Sequence, residues 1–332
     1  MKTWRALWAL ALLLVLTLAA AATAAWWLNR PLELATDPVE LSVELGTPPR
    51  EIAQQWVQAG VHASPFWLYE WFRWSGDSRK IRAGSYELDR GTTPIGLLRK
   101  MVRGDETLAV VRLIDGWTFR QFRAELAKAD ALKPTTAAMT DAQIMAALGA
   151  PDLSPEGRFH PDTYAYSKGA TDLAVLKRAF HAMQVRLDAA WAKRSADTPL
   201  HSADEALVLA SIVEKETGVG SDRGRIAGVF VNRLRLGMPL QTDPTVIYGL
   251  GPAYDGALHK RDLLADSPYN TYLRVGLPPT PISMPGKAAL LAAVHPDPTK
   301  ALYFVSRGDG SSEFSENLAD HNRAVNQYQR KK

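Results

Sequence analysis

From Ala6 to Leu28 the chain runs 23 residues with only Thr17 and Thr23 as polar members. No other stretch limits the fold as much. As a helix rising about 1.5 Å per residue it is about 35 Å long, enough to cross a hydrocarbon core of about 30 Å. In lipid, only a helix satisfies every backbone group of a lone segment. Lys2 and Arg5 precede the run, while Arg30, Glu33, Asp37 and Glu40 follow it. The positive-inside rule then puts residues 1–5 in the cytoplasm and everything beyond about residue 30 on the far side. A cleaved signal peptide competes with this reading, with Leu7–Leu18 as its apolar segment and small residues from Ala19 to Ala25 as cleavage sites. Trp26, Trp27 and Leu28 extend the run into an interfacial aromatic belt, so we read 6–28 as a retained transmembrane helix.

The rest of the chain must bury a core of its own. Of the 332 residues, 46% are hydrophobic and 22% charged, ordinary for a globular protein. The net charge of +4 suits an anionic membrane surface or an acidic polymer. It is too dispersed for nucleic acid, which requires a concentrated basic face. The absence of cysteine removes thiol nucleophiles, disulfides and Cys-type zinc sites together. The seven histidines, from His62 to His321, lack metal-ligand spacing, and we expect neither a metal nor another cofactor.

Residues 29–38, with Pro31 and Pro38, read as a linker. Val39, Leu41, Val43 and Leu45 alternate as in a strand, and Pro48 and Pro49 open a helix with Ile52, Trp56 and Val57 as its stripe. SPFWLYEWFRWSG is an aromatic-rich second helix; IRAGSYELDRGTTPIGLLRKMVRG is a strand, a turn and a short helix. Gly46 and Gly116 each precede a helix, with Arg50 and Arg120 four residues on, a weak echo of one strand–turn–helix unit. PDLSPEGRFHPDTYAYSKGA reads as a Pro/Gly-rich loop before a long helix from about Asp172 to Lys193. Ser202 begins the next helix with Glu205 as its capping-box partner. That helix runs to Thr217 and stops at Gly218 and Gly220; another covers about Asp222 to Leu236. MPLQTDPTVIYGLGPAYDG and SPYNTYLRVGLPPTPISMPG read as loops, and the C-terminal segment as a hairpin turning at Arg307–Gly310 followed by a helix. Segregated strands and helices make the fold class α+β.

No phosphate-binding loop, H-E-x-x-H or G-x-S-x-G is present. The feature that carries chemistry is LASIVEKETGVG, Leu209 to Gly220. On a helix, residue 216 lies over 212, 213 and 209, so Glu216 projects from the stripe of Ile212, Val213 and Leu209. Glu214 lies over Ala210 and Ser211. An apolar wall disfavours the ionised carboxyl, and so does the partial negative charge at a helix C-terminus. A carboxyl so placed stays protonated nearer neutral pH, as a general acid requires. Periodicity alone allows the plainer reading of a frayed end with both glutamates solvated. The Pro-bounded loops add Gln241, Thr242, Asp243, Tyr248, Tyr269, Asn270, Thr271 and Tyr272, types that hydrogen-bond to and stack on sugars but that also pack into polar loops.

ASIVEKET, VFVNRLRLGMPLQTDPTVIYGLG, YNTYLRVGLPPTPISMPG, LYFV and F…NLADHN together resemble the YceG-like endolytic murein transglycosylases, densely from about Ala210 to His321 and more loosely before. The resemblance implies a single-pass protein of the cell inner membrane with a periplasmic body. It also implies a LysM-like βααβ module at 39–104 and a mixed α+β catalytic domain at 105–332, built around a glutamate helix. The second glutamate of E-K-E-T, Glu216, becomes the catalytic acid. Its substrate is the peptidoglycan glycan strand, cut at the MurNAc–GlcNAc β-1,4 bond to leave 1,6-anhydroMurNAc ends. Ending nascent strands beside a peptidoglycan synthase or penicillin-binding protein is the expected setting. We expect Gln241, Thr242, Asp243, Tyr248, Tyr269, Asn270 and Tyr272 to line the sugar cleft. Two other functions stay open: a lysozyme-like muramidase with Asp243 or Glu214 as second carboxylate, and a membrane-tethered wall-binding protein without catalysis.

Overall fold

A computed structural model of the protein describes residues 2–330; the N-terminal Met1 and the side chains of Lys2 and Arg5, whose charges set the expected orientation, lie outside what is described. The chain divides into two compact units, Met1–Ala109 with Ala165–Ala170, and Val110–Tyr164 with Thr171–Lys332.

The first unit opens with α1 (Lys2–Asn29). Leu10, Leu12, Leu13, Leu14, Leu16 and Leu18 are all uncovered by protein. A helix with uncovered leucines on every side needs an apolar solvent, and Leu10–Asn29 is long and apolar enough to cross a membrane. The helix fits a single-pass anchor. Next come β1 (Glu33–Leu34), β2 (Val39–Val43), α2 (Pro49–Ala59), β3 (Val61–His62), α3 (Pro65–Trp74), β4 (Gly84–Leu88) and α4 (Pro94–Arg103). Strands β2 and β4 pair antiparallel, Val39 opposite Leu88 and Val43 opposite Gly84. Trp56, Phe72, Tyr86, Leu97 and Met101 fill the space between this ribbon and the helices. Pro49 stands at the first turn of α2, where its missing N–H costs nothing. The alternation expected through Leu45 stops early. Val39 and Val43 are buried, but Leu45 lies beyond the strand at 94% exposure, because the chain has already entered the turn at Gly46.

Further along are β5 (Leu108–Leu113), α5 (Phe119–Lys128), α6 (Asp141–Ala147), β6 (Asp162–Ser167), α7 (Asp172–Trp191), α8 (Ala203–Glu216), α9 (Gly220–Arg235), α10 (Asp243–Leu250), α11 (Lys260–Leu263), α12 (Lys287–Val294), β7 (Tyr303–Ser306), β8 (Ser312–Ser315) and α13 (Leu318–Tyr328). The centre of the second unit is α8, whose residues Ala206 to Val213 are all buried. It packs against α7, α9, α10 and α12. Ser202 caps α8 by accepting from the Glu205 N–H at 3.1 Å. The reciprocal half of the expected box is displaced by one residue, since the Glu205 carboxylate accepts from the His201 N–H at 2.7 Å.

Several segments depart from the sequence reading, among them the expected linker over 29–38, which contains β1. The loop expected over 151–170 contains β6, and the loop expected over 238–256 contains α10. Helix α12 was not anticipated. For α10 the cause is tertiary: Thr, Val, Ile and Tyr are indifferent helix formers, yet burying Thr245 and Val246 draws the segment into a helix beside α8. The glycines after α8 also differ from expectation. Thr217 leaves the helix in an extended conformation, and Gly220 opens α9 rather than capping α8.

Helix α9 lies so close to the 297–299 segment that a Cβ on Gly228 would stand 2.6 Å from Thr299 Cγ2 and 2.8 Å from the Asp297 carbonyl. Alanine normally stabilises a helix by about 1 kcal/mol over glycine. Here overpacking reverses the sign, and Gly228→Ala should cost about 1–3 kcal/mol in chemical denaturation. A gain in stability would contradict this close approach.

Candidate active site

Glu216 is the last residue of α8. The stripe beneath it, Leu209, Ile212 and Val213, is entirely buried. The three charges at this helix end separate as the periodicity implies. Lys215 is exposed and its Nζ donates to the Gly116 carbonyl at 3.3 Å. Glu214 is not the solvated residue of the frayed-end reading. Its carboxylate accepts from the Gly286 N–H at 2.9 Å and faces Arg223 at 3.8 Å, with only 9% of its side chain accessible. Glu216 has neither a basic partner nor a backbone donor among its described hydrogen bonds; it accepts from the Thr242 hydroxyl. Burial pushes its pKa up to about 7, the Thr242 hydroxyl pulls it back, and the Asp243 charge adds to the rise.

Thr242 has the residue type and position of an N-cap for α10, but its side chain makes no capping bond. A closed ring of hydroxyls holds it. The Thr242 N–H donates to Thr271 Oγ1 at 3.1 Å. Thr245 Oγ1 donates to the Thr242 carbonyl at 2.8 Å and lies 2.9 Å from Thr271 Oγ1. Each hydroxyl has one proton, and that of Thr245 is already used. Thr271 therefore donates to Thr245, which fixes all three protons. The Thr242 side chain is left free to face Glu216.

The chain enters this arrangement through Gln241, held in the left-handed region at φ 51°. A non-glycine residue there costs on the order of 1–2 kcal/mol, so its surroundings must impose the conformation. The Gln241 N–H donates to the Thr271 carbonyl at 3.0 Å. Arg233, buried on α9, donates from Nε to the Leu302 carbonyl at 2.7 Å and from Nη1 to the Pro239 and Leu240 carbonyls at 3.1 and 2.9 Å. Sequence reasoning missed Arg233, although the signal was there. It falls on the apolar stripe of Ile226, Val229 and Phe230, where a cation needs a structural reason.

Of the expected cleft residues, Thr242, Asp243 and Tyr272 gather at Glu216, while the Gln241 side-chain oxygen accepts from Arg233 Nη1 at 3.4 Å. Asp243 stands at the start of α10, and the Tyr272 hydroxyl donates to Asp243 Oδ1 at 2.5 Å. Burial and the nearby charges of Asp243 and Glu216 hold that phenol above its usual pKa. Tyr248 and Tyr269 form a separate edge-to-face pair with centroids 4.9 Å apart. Tyr248 donates to Glu156 at 3.2 Å, and Tyr269 meets the Thr280 hydroxyl at 2.8 Å. Asn270 is fully buried. Its amide donates to the Leu263 and Ala265 carbonyls and its oxygen accepts from the Tyr272 N–H, so it shapes the loop from behind. Glu156 was also missed. A lone glutamate in a Pro/Gly-rich segment has no periodic signature, and yet it is 5% exposed, with its pKa raised by burial to about 7.

This arrangement can pass a proton out of and back into one carboxyl. The apolar stripe favours its neutral form and the Thr242 hydroxyl favours its anion, so both states are accessible near neutrality.

Comparison with known proteins gives a consistent picture. The YceG-like family matches residues 41–327. A protein of Bacillus subtilis (strain 168) named endolytic murein transglycosylase is 40% identical over 173 residues, 52% of this chain and 48% of that protein. One of the same name from Streptococcus pneumoniae serotype 2 (strain D39) is 28% identical across 86% of this chain and 58% of that protein. The chain thus spans about half the length of the curated relatives it matches. A crystal structure of the yceG-like protein lmo1499 from Listeria monocytogenes aligns with a TM-score of 0.53 at 28% identity, over 87% of this chain and 99% of that one.

Proposed function

The chain belongs to the YceG-like family, and from that premise we propose that it is an endolytic lytic transglycosylase of peptidoglycan, with Glu216 as its single acid and base. The observation that carries this reading is a carboxyl at the end of a buried apolar helix stripe, hydrogen-bonded by the Thr242 hydroxyl and without a cationic partner among the described residues, so that burial pushes its pKa up to about 7. The names of the relatives support the substrate class.

Protonated Glu216 donates to the glycosidic oxygen of a MurNAc–GlcNAc β-1,4 bond as that bond breaks, and the GlcNAc 4-hydroxyl departs. The resulting carboxylate, supported by the Thr242 hydroxyl, accepts the proton of the muramyl C6 hydroxyl. O6 bonds to C1 and closes a 1,6-anhydro ring. Glu216 regains its proton, and no water is consumed. An ordinary glycosidase needs two carboxylates, about 5 Å apart for retention or about 6.5–9.5 Å for inversion. Glu214 is occupied by Gly286 and Arg223, which argues against it as the second. Asp243 lies close enough to raise the Glu216 pKa, and it keeps a muramidase mechanism as the alternative. Mass spectrometry of digested strands separates the two: anhydro ends support the lyase, and reducing ends refute it.

Thr242→Val removes the one hydrogen bond that favours the Glu216 anion. The pKa of Glu216 should rise further, so the alkaline limb of the kcat/KM profile, where the acid is lost to ionisation, should move to higher pH. An unmoved limb would exclude Thr242 from tuning the acid.

Within the same reading, Gln241, Thr242, Asp243 and Tyr272 contact sugar, and the Tyr248–Tyr269 pair offers a stacking face. Asn270 acts through the loop it shapes. Residues 39–104 form a LysM-like module and 105–332 the catalytic domain. The protein sits in the inner membrane with residues 1–5 cytoplasmic and the rest periplasmic. Cutting near the membrane suits the ending of nascent strands beside a synthase.

A further inference from the structure

We propose that the outward face of α3 is a second membrane contact, seated in the lipid headgroup layer beside the anchor. The inference rests on reading α1 as membrane-spanning.

On a ten-residue helix at 100° per residue, Phe66, Trp67, Glu70, Arg73 and Trp74 share one arc, while Leu68 and Phe72 on the opposite side enter the core. The three aromatics on the outward arc are 58%, 60% and 77% exposed. Phe66 and Trp67 meet edge to face at 5.1 Å. The Arg73 guanidinium lies over the Trp74 ring at 5.6 Å, and the Trp74 indole N–H donates to Glu70 at 3.0 Å. This arc joins apolar rings to polar, charged rims, the combination that partitions to the membrane–water boundary.

The position of the anchor says what covers that face. The apolar window of α1 ends at Asn29. Three residues later the Leu32 N–H donates to the Thr92 carbonyl at 2.8 Å, and Leu32 is buried. Three residues span at most about 10 Å. With the hydrogen bond added, the Thr92 carbonyl stands within about 13 Å of the end of the hydrocarbon-crossing segment. The headgroup layer is itself roughly 5–8 Å deep on each side, from a total thickness of about 40–45 Å. On the same Thr92–Pro94 segment, the Trp71 indole donates to the Pro94 carbonyl at 3.1 Å. Trp27 of α1 also packs against the core that holds Leu68 and Phe72. The C-terminal turn of α3 is thus tied to the point where the anchor leaves the unit, and Trp74 is one helical turn beyond Trp71. Trp26 at the end of α1 is likewise exposed and carries Arg30 at 5.2 Å from its ring, the same pairing of ring and charge.

The chain has no cysteine, so a single thiol can be labelled in the full-length protein. Trp67→Cys, Trp74→Cys and Leu14→Cys, each carrying an environment-sensitive fluorophore, are reconstituted in nanodiscs of phosphatidylcholine and phosphatidylglycerol, with doxyl-lipid or aqueous iodide quenchers. The expected result is that labels at 67 and 74 are quenched several-fold more by shallow doxyl groups than by iodide, and that the label at 14 responds to deep doxyl groups. If 14 responds to lipid while 67 and 74 respond only to iodide, the contact is refuted and the anchor stands. If 14 itself escapes the lipid quencher, the anchor reading fails and takes the proposal with it. A response of 67 and 74 to added glycan strands, without lipid quenching, identifies a sugar-binding face and overturns the proposal.

Discussion

Glu216→Gln is expected to abolish release of anhydro-muropeptides from purified glycan strands while leaving the protein folded. A positioned general acid or base contributes about 10²–10⁴ in rate. In the proposed mechanism one carboxyl serves both steps, so the loss should fall at the upper end of that range. Glutamine fills the same space and can still accept from the Thr242 hydroxyl, and the helix end should not change. The substitution also has a signature in stability. The folded pKa of Glu216 is about 7, against the usual 4.5. Between those values the folded protein holds a proton that the unfolded chain releases, so this group's contribution to stability falls as pH rises through the window. Above about pH 7 the wild type carries the full cost of a poorly solvated anion, on the order of 1–3 kcal/mol after allowance for partial solvent access. Glutamine never ionises. The melting temperature of Glu216→Gln relative to wild type should therefore be higher at pH 8 than at pH 5. The Glu156 carboxyl is raised to a similar value but is common to both proteins and cancels in the difference. Anhydro products from the glutamine variant, or an offset independent of pH, would remove Glu216 from its assigned role.

Arg233→Met should be the most damaging substitution for the scaffold. Burial lowers the pKa of this guanidinium, and it has no carboxylate partner among its described contacts. Backbone carbonyls of Pro239, Leu240 and Leu302 solvate it instead, and the Tyr303 ring lies 5.0 Å from its centre. Methionine fits the apolar stem but leaves three inward-facing carbonyls without donors. At about 1–3 kcal/mol for each unsatisfied buried group, partly relieved by relaxation, the loss should be about 3–5 kcal/mol by chemical denaturation. Activity measured well below the midpoint should also fall, because the strained Gln241 turn that delivers Thr242 to Glu216 is held from this side. Full activity in the folded variant would show that Thr242 is positioned without Arg233. Arg233→Lys should fall between, since one ammonium cannot reach both Leu302 and the Pro239–Leu240 pair.

The catalytic candidate was legible because helix periodicity is local. Residue 216 stands over 212, 213 and 209 wherever the helix is placed, and their apolar character is written in the chain. The strand at Val39–Val43, the Pro-opened helices and the hairpin near Arg307 follow from similarly short-range patterns. The hairpin strands β7 and β8 pair around a turn with Gly308 and Gly310 in the left-handed region. Thr242 and Tyr272 could be nominated by residue type, but type alone also nominated Asn270, whose amide is spent on backbone.

What the sequence by itself determined is therefore the apolar N-terminal helix, the α+β class, the ends of α7, α8 and α9 to within two residues and the carboxyl on the apolar stripe. Each depends on residues within about two helical turns of one another. Only the tertiary structure decided that α10 is a helix, that Arg233 pins the turn before Thr242, that Glu214 is occupied elsewhere, and that Tyr248 answers to Glu156 rather than to Glu216. The Arg233 contacts with Pro239 and Leu240 lie 6 and 7 positions apart but are fixed by burial of that side chain and its bond to Leu302, 69 positions on; the other outcomes join residues 26 to 92 positions apart. The free energy of a buried hydrogen bond or charge is set by which distant groups arrive beside it, and no local pattern records that.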